Sequence, residues 1–322
     1  MLFNCYLLIA GIRFQLESDY PLVKSREFEP FFTDTIEQEI HAVIRKAGQL
    51  PDVPENVMSV DAHYKVVLDN QGNTYSFFFE NAEKPIYYAA AACDASGKEI
   101  VVEYLESHRP YIADVKRSFF HLGFASILLH RNKLCLHASC VDTPLGGILF
   151  SGVSGIGKST QAELWCRYRG ARQINGDRPI LSKEGQTWLA WGSPYAGSSK
   201  VYVNDSCPVS AIVLLKQAKA CSLRRLSPSE AFRGVWAGLT IHSWDAAFVE
   251  NASALAQDTP ESSAPTRPGP QVTAMASISS RVQFASSSAF SSSRSRKAMF
   301  FFASMWPFCS ASPRPKVPSI TT

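Results

Sequence analysis

Gly152-Val153-Ser154-Gly155-Ile156-Gly157-Lys158-Ser159-Thr160 is the stretch on which the reading of the fold turns. It matches G-x-x-x-x-G-K-[ST], the pattern of a loop that wraps phosphate. Three glycines leave the backbone free to turn successive N–H groups toward one anion. In such a loop Lys158 reaches the β- and γ-phosphates, and the Ser159 hydroxyl ligates a magnesium ion. The flanks agree with the motif. Gly147-Ile-Leu-Phe-Ser151 is a short apolar run, as a buried strand makes, and Ser159-Thr-Gln-Ala-Glu-Leu-Trp165 reads as a helix whose positive end faces the loop. The expected nucleotide-binding residues are Gly152, Gly155, Ile156, Gly157, Lys158, Ser159 and Thr160, with ATP and Mg²⁺ as the ligands.

Upstream of the loop, Leu134-Cys-Leu-His-Ala-Ser-Cys-Val141 is a second apolar run, joined to the first by Asp142-Thr-Pro-Leu-Gly-Gly147. Two such runs around a Pro/Gly turn predict an antiparallel hairpin directly before the loop. Further back, Val115, Phe119, Leu122, Ala125 and Leu129 recur at three and four residues, the apolar stripe of one helix. Downstream, Gln173-Ile-Asn175 leads into Gly176-Asp177-Arg178-Pro179. Residues 180–182 and 187–191 read as a strand pair about the turn 183–186, and residues 210–215 as a buried strand. Ser227-Pro-Ser-Glu230 is a capping box that opens a helix, and residues 244–257 also read as helical.

Residues 1–110 read as a mostly β domain. The apolar start, Cys5 to Gly11, lacks a basic leader and runs into the alternating Ile12-Arg-Phe-Gln-Leu16, so a strand is expected rather than a signal peptide. Residues 64–68 and 75–79 flank a turn at 70–73, a hairpin signature. Residues 85–88 and 99–103 read as further strands, while residues 31–46 suit a helix or a strand. No catalytic constellation stands out here, and a sheet that buttresses or recognises is the expectation. Residues 111–258 form the expected nucleotide-binding domain. From Asn251 onward there are 17 serines, 8 prolines, seven basic and two acidic residues. Residues 259–322 are therefore expected to be a disordered, weakly basic tail; a sharper alternative is an out-of-frame extension of a truncated gene.

The net charge of +4 over 322 residues does not suggest a nucleic-acid partner, and no stretch approaches the length of a membrane span. The eight cysteines lack C-x-x-C spacing, so neither a zinc site nor a redox pair is indicated and a reducing, cytoplasmic location is expected.

From His137 to about residue 240 the chain resembles the catalytic domain of the HPr kinase/phosphorylase superfamily, and within it the short HPr-kinase-like proteins. The residues that carry the resemblance are His137-Ala-Ser139, the loop 152–160, Ile174-Asn-Gly-Asp-Arg-Pro179, Gly192-Ser-Pro-Tyr-Ala-Gly197 and Ala211-Ile-Val-Leu-Leu215. The resemblance implies an α/β fold shared with phosphoenolpyruvate carboxykinases, a mixed sheet whose phosphate loop follows an antiparallel hairpin. It further implies an ATP-dependent kinase that phosphorylates a hydroxyl on a protein or small molecule, and homo-oligomers by analogy.

Phosphoryl transfer needs positioning and charge neutralisation above all. Lys158 supplies charge. Asp177 is the candidate to bind Mg²⁺, with Ser159, or to accept the acceptor hydroxyl's proton. His137 suits a further acid/base, a hydrogen-bond partner of Asp177 or a buried structural role. Arg178 could pair with Asp177 or neutralise phosphate. Well-studied members of the family have two adjacent aspartates where this chain has Gly176-Asp177. That departure keeps a second reading open, a nucleotide-binding switch without transferase activity, and a small-molecule carboxykinase is a third.

Overall fold

The computed structural model describes residues 2–35, 37–57, 59–60, 63–80, 83–217, 222–257 and 271–276. They form two mixed β-sheets with few helices. Alternation of apolar and polar residues writes the first sheet. In β2 (Ile12–Ser18) every second residue from Ile12 is buried, and β1 (Phe3–Ile9) pairs antiparallel with it across Ala10-Gly11. β3 (Ile40–Ala47) buries Ile40, Ala42 and Ile44 in the same rhythm, so a period of two prevails in the stretch that suited either structure. β4 (Ser59–Val60), β5 (Tyr64–Leu68), β6 (Thr74–Glu80), β7 (Ile86–Cys93) and β8 (Glu99–Leu105) complete it. The order is β1-β2-β3-β8-β7-β6-β5-β4, with β3 parallel to both neighbours and the other pairs antiparallel.

The helix expected over residues 115–129 is two helices, α1 (Val115–His121) and α2 (Phe124–His130). Gly123 lies between them at φ 67°, a left-handed conformation that ends the first helix, while the apolar stripe continues across the break. Asp114 caps α1 by accepting from the Arg117 N–H at 2.9 Å. Phe119 of α1 packs between Phe14 and Phe28, with centroids 5.2 and 4.9 Å away.

The second sheet comprises β9 (Lys133–Cys135), β10 (Ala138–Thr143), β11 (Gly146–Ser151), β12 (Arg172–Asn175), β13 (Ile180–Glu184), β14 (Thr187–Trp191) and β15 (Ser206–Lys216), in the order β12-β10-β11-β15-β14-β13-β9. The expected hairpin before the loop is β10 against β11, and β11 then runs parallel to β15. β16 (Ser222–Arg225) pairs with β17 (Gln271–Ala276), which lies parallel to β15. β17 therefore places strand structure inside the serine-rich segment; the disorder expected for 259–270 and 277–322 lies outside the described residues.

Three helices follow the hairpin: α3 (Lys158–Arg169), α4 (Pro228–Trp236), opened by the expected Ser227–Glu230 capping box, and α5 (Ala246–Gln257). Among the described residues, no helix is long and apolar enough to cross a membrane.

α3 is fixed to the sheet by Ala162 and Trp165, both fully buried against Val141, Ile148, Phe150 and Val213. This contact sets where the helix N-terminus points. Trp165→Ala is expected to cost about 3–5 kcal/mol, read as a lowered urea midpoint with an unchanged slope.

Candidate phosphate-binding site

The loop leaves β11 at Ser151 and enters α3 at Lys158, so the hairpin expected from sequence delivers it directly to a helix N-terminus. Gly152, Gly155 and Gly157 have φ of 146°, 76° and 107°, a region that other L-residues enter only with strain. Gly152 is also pressed against β15, where an added Cβ would stand 3.1 Å from the Leu215 carbonyl oxygen. The first i→i−4 bond of the helix runs from Gln161 N–H to Gly157 O, at 3.0 Å. The amides from Gly157 to Thr160 have no carbonyl one turn earlier and face out of the helix end. The Ser159 and Thr160 hydroxyls are exposed there, and Ile156 packs its side chain toward Gly152.

Lys158 is buried, 7 % exposed, with its ammonium donating to the carbonyls of Gly152 at 3.0 Å and Val153 at 3.2 Å. Burial pushes its pKa down, partly offset by the negative charge of Asp177. A cation held this way is matched only by neutral oxygens of its own loop, which a phosphate could replace with charged ones.

Asp177 lies in the turn after β12, and a buried side chain builds that turn. The Asn175 carboxamide is fully buried; its Oδ1 accepts from the N–H groups of Asp177 at 2.9 Å and Arg178 at 2.7 Å. Its Nδ2 donates to the Ser193 carbonyl and hydroxyl, both at 3.1 Å, and the Ser193 hydroxyl donates to Arg178 O at 2.6 Å. From the other side, the Ser139 hydroxyl donates to Gly176 O at 2.7 Å.

The Asp177 carboxylate faces two partners, His137 Nε2 at 3.2 Å and Arg178 Nε at 3.5 Å. Arg178 in turn donates from Nη1 to Thr240 Oγ1 at 2.9 Å. His137 is fixed between β9 and β10, its N–H donating to Gly238 O at 2.7 Å and its carbonyl accepting from Ser151 Oγ at 2.9 Å. Burial pushes the His137 pKa down, the positive charges of Lys158 and Arg178 push it further, and Asp177 opposes them. The imidazole is therefore neutral at neutral pH. With Nε2 donating to Asp177, its Nδ1 lone pair is left to accept a proton.

Of the residues singled out in the sequence, His137, Lys158, Asp177 and Arg178 converge, with two cations to one carboxylate. Two other arginines of the same domain stay apart from them: Arg224 pairs with Glu230 at 2.7 Å, and Arg233 donates to Ser229 Oγ at 2.7 Å. His242 stacks on Trp244, with centroids 5.3 Å apart, and meets Ser126 Oγ through Nδ1 at 2.9 Å. Asn175 and Ser193 stand inside motifs quoted above but were given no role there, and neither was Thr240. An Asn two residues before an Asp is a turn signal in hindsight; nothing local marks Ser193 or Thr240.

The donors suit magnesium, which takes one or two carboxylates with phosphate and water oxygens rather than an all-protein cage. Ser159 and Asp177 supply hard oxygens, and no group of three or more metal-ligating His, Cys, Asp or Glu side chains occurs among the described residues. Gly176 explains the lone carboxylate. A Cβ there would overlap Ser199 Oγ and stand 2.8 Å from Ala196 O, so the turn has no room for a second aspartate.

Two predictions follow from this geometry. Imidazole NMR titrations should show the His137 pKa rising above its native value in Lys158→Ala and falling below it in Asp177→Asn. Because the fold favours neutral His137, its contribution to stability is full above the ordinary imidazole value of about 6.5 and is lost progressively as pH falls from there through the lower pKa of the folded state. Gly176→Ala should destabilise the fold by about 1–3 kcal/mol, read from urea denaturation, because the Ser199 turn has to shift.

No protein-family model and no curated protein matches the chain. Among solved structures it is similar to the HPr(Ser) kinase/phosphatase of Coxiella burnetii, with 19 % identity and a TM-score of 0.22, over 26 % of this chain and 59 % of that one.

Proposed function

We propose that the loop 152–160 binds Mg-ATP and that the chain transfers the γ-phosphoryl group to a serine or other hydroxyl acceptor. The observation that carries this reading is the convergence of Lys158, Asp177 and His137 beside an open helix N-terminus. In this scheme Lys158 exchanges two loop carbonyls for β- and γ-phosphate oxygens, and the amides of residues 157–160 accept the remaining charge. Magnesium, held by Ser159 and Asp177, supplies further charge neutralisation when bound. The acceptor oxygen attacks the γ-phosphorus, the bond to the β–γ bridging oxygen breaks, and ADP leaves. The acceptor's proton passes to Nδ1 of His137, and Asp177 stabilises the resulting imidazolium through Nε2.

A specific observation favours a second reading, a nucleotide-binding switch. With Gly176 closed to a side chain, Asp177 is the one carboxylate of the turn, and it is already shared between His137 and Arg178. One carboxylate has to serve both metal and proton transfer, which limits turnover without weakening binding.

Titration of the full chain with Mg-ATP tests the first step. Lys158→Ala should weaken binding about 10- to 100-fold, the effect of losing a hydrogen bond from a charged group, about 1.5–3 kcal/mol. Asp177→Asn should retain ATP affinity within a few fold while abolishing ADP release. Binding without ADP release from the unaltered chain, with serine-bearing and small hydroxyl acceptors supplied, selects the switch, and no measurable affinity at millimolar ATP removes both readings.

A further inference from the structure

A second polar site lies outside the phosphate loop and shares no residue with it. A cleft of about 490 Å³ opens where the first strands of one sheet meet the end of α2. It is lined by Glu39 and His41 at the start of β3, by Lys98 and Glu99 at the start of β8, and by His130 and Arg131 at the end of α2, with Gln38 and Ser96 completing it. Its volume falls in the range of small-molecule sites. All eight lining residues are polar or charged, whereas a core-facing void is lined by apolar ones.

The two carboxylates and two cations of the lining balance in number but do not pair with one another. Glu99 is engaged by His41 Nδ1 at 3.1 Å, and Glu39 lies 3.8 Å from the Arg13 guanidinium. Neither Lys98 nor Arg131 has a carboxylate within ion-pair distance among the described residues. Arg131 is half-buried and donates from Nη1 only to the carbonyl of Ser96, at 3.3 Å. Burial lowers its pKa, and the negative charge of Glu39, beyond ion-pair distance, opposes this.

This corner is also preorganised. Gly97, at φ 64°, turns the chain so closely beneath the two helix-end residues that a Cβ would stand 2.8 Å from the His130 ring and 3.4 Å from Arg131 Nη1. The guanidinium is therefore held by packing and by one carbonyl, with its remaining N–H groups available. A planar fork of this kind matches the oxygens of a carboxylate or a phosphate. Glu39, Gln38 and Ser96 add hydrogen-bonding groups.

We propose that this cleft is a binding site for a small oxyanion, either a carboxylate or a phosphate, gripped by Arg131 and Lys98. The site stands apart from the proposed nucleotide chemistry and holds whether or not the loop binds ATP.

Calorimetric titration of the full chain with citrate, succinate and inorganic phosphate tests it, in the Lys158→Ala background so that the phosphate loop does not contribute. Saturable binding of at least one probe is expected, weakened tenfold or more by Arg131→Gln and several-fold by the exposed Lys98→Gln. The preferred probe separates a carboxylate from a phosphate site. Circular dichroism checks that each variant is folded; should Arg131→Gln not fold, the Lys98→Gln result decides alone. The proposal is overturned if none of the probes binds, or if binding is unchanged in the folded variants.

Discussion

The buried carboxamide of Asn175 is the constraint on which the candidate site depends. It closes the turn after β12 by accepting two successive backbone N–H groups and donating to Ser193, so every polar atom of the amide is used. Leaving a buried donor or acceptor unmatched costs about 1–3 kcal/mol, so the turn has few alternatives. Asp177 and Arg178 are adjacent on it, and fixing their backbones fixes where a carboxylate and a guanidinium meet the histidine ahead of β10. The Ser139 hydroxyl ties the same turn to β10, so the strand hairpin and the acidic turn move as one unit.

Charge then explains the resting arrangement. Lys158 and Arg178 outnumber Asp177, and the half-buried site screens them less than water does. Lys158 is matched by two loop carbonyls and Arg178 by Asp177 and Thr240. These are neutral or shared partners, and a polyphosphate offers both cations stronger ones. Burial first, and then the same surplus, pushes the His137 pKa down, with Asp177 opposing both. The closed space at Gly176 leaves the turn a single carboxylate, which faces this histidine.

Much of this was legible because it is local. The strand, glycine loop and helix 147–165 lie in one continuous stretch, and the hairpin before them follows from two apolar runs around a Pro/Gly turn. The capping box at Ser227 is equally self-contained. Legibility fell where two periods competed. The stripe from Val115 to Leu129 satisfies one long helix, yet Gly123 breaks it without moving the buried face. Residues 40–47 carry both spacings, and pairing with β2 and β8 settles the matter for a strand. At the site, His137 and Asp177 were readable as chemistry-bearing types. Thr240 was not, because only the return of the chain after α4 brings it to Arg178, with Thr240 N–H donating to Cys135 O at 2.9 Å.

The first sheet has a physical part in the site although it contributes no side chain to it. The loop 192–197 holds Ser193, which completes the Asn175 network, and Gly197, whose backbone packs on Asp177 closely enough that a Cβ would stand 2.9 Å from the Asp177 Cβ. Between them, Tyr195 leaves the second sheet and enters the core of the first, with its ring 5.8 Å from Phe124 and 6.3 Å from Phe28. Ile180, Trp191 and Tyr202 pack into the same core. The loop is anchored at its middle in one core while both ends shape the acidic turn in the other. Loss of packing around Phe28 or Phe119 would therefore loosen the clamp on Asp177 before it touched the phosphate loop, whose own anchor is the separate contact of Trp165 with Phe150. The two halves of the site rest on different hydrophobic clusters, and the contact of His137 Nε2 with the Asp177 carboxylate lies where they meet.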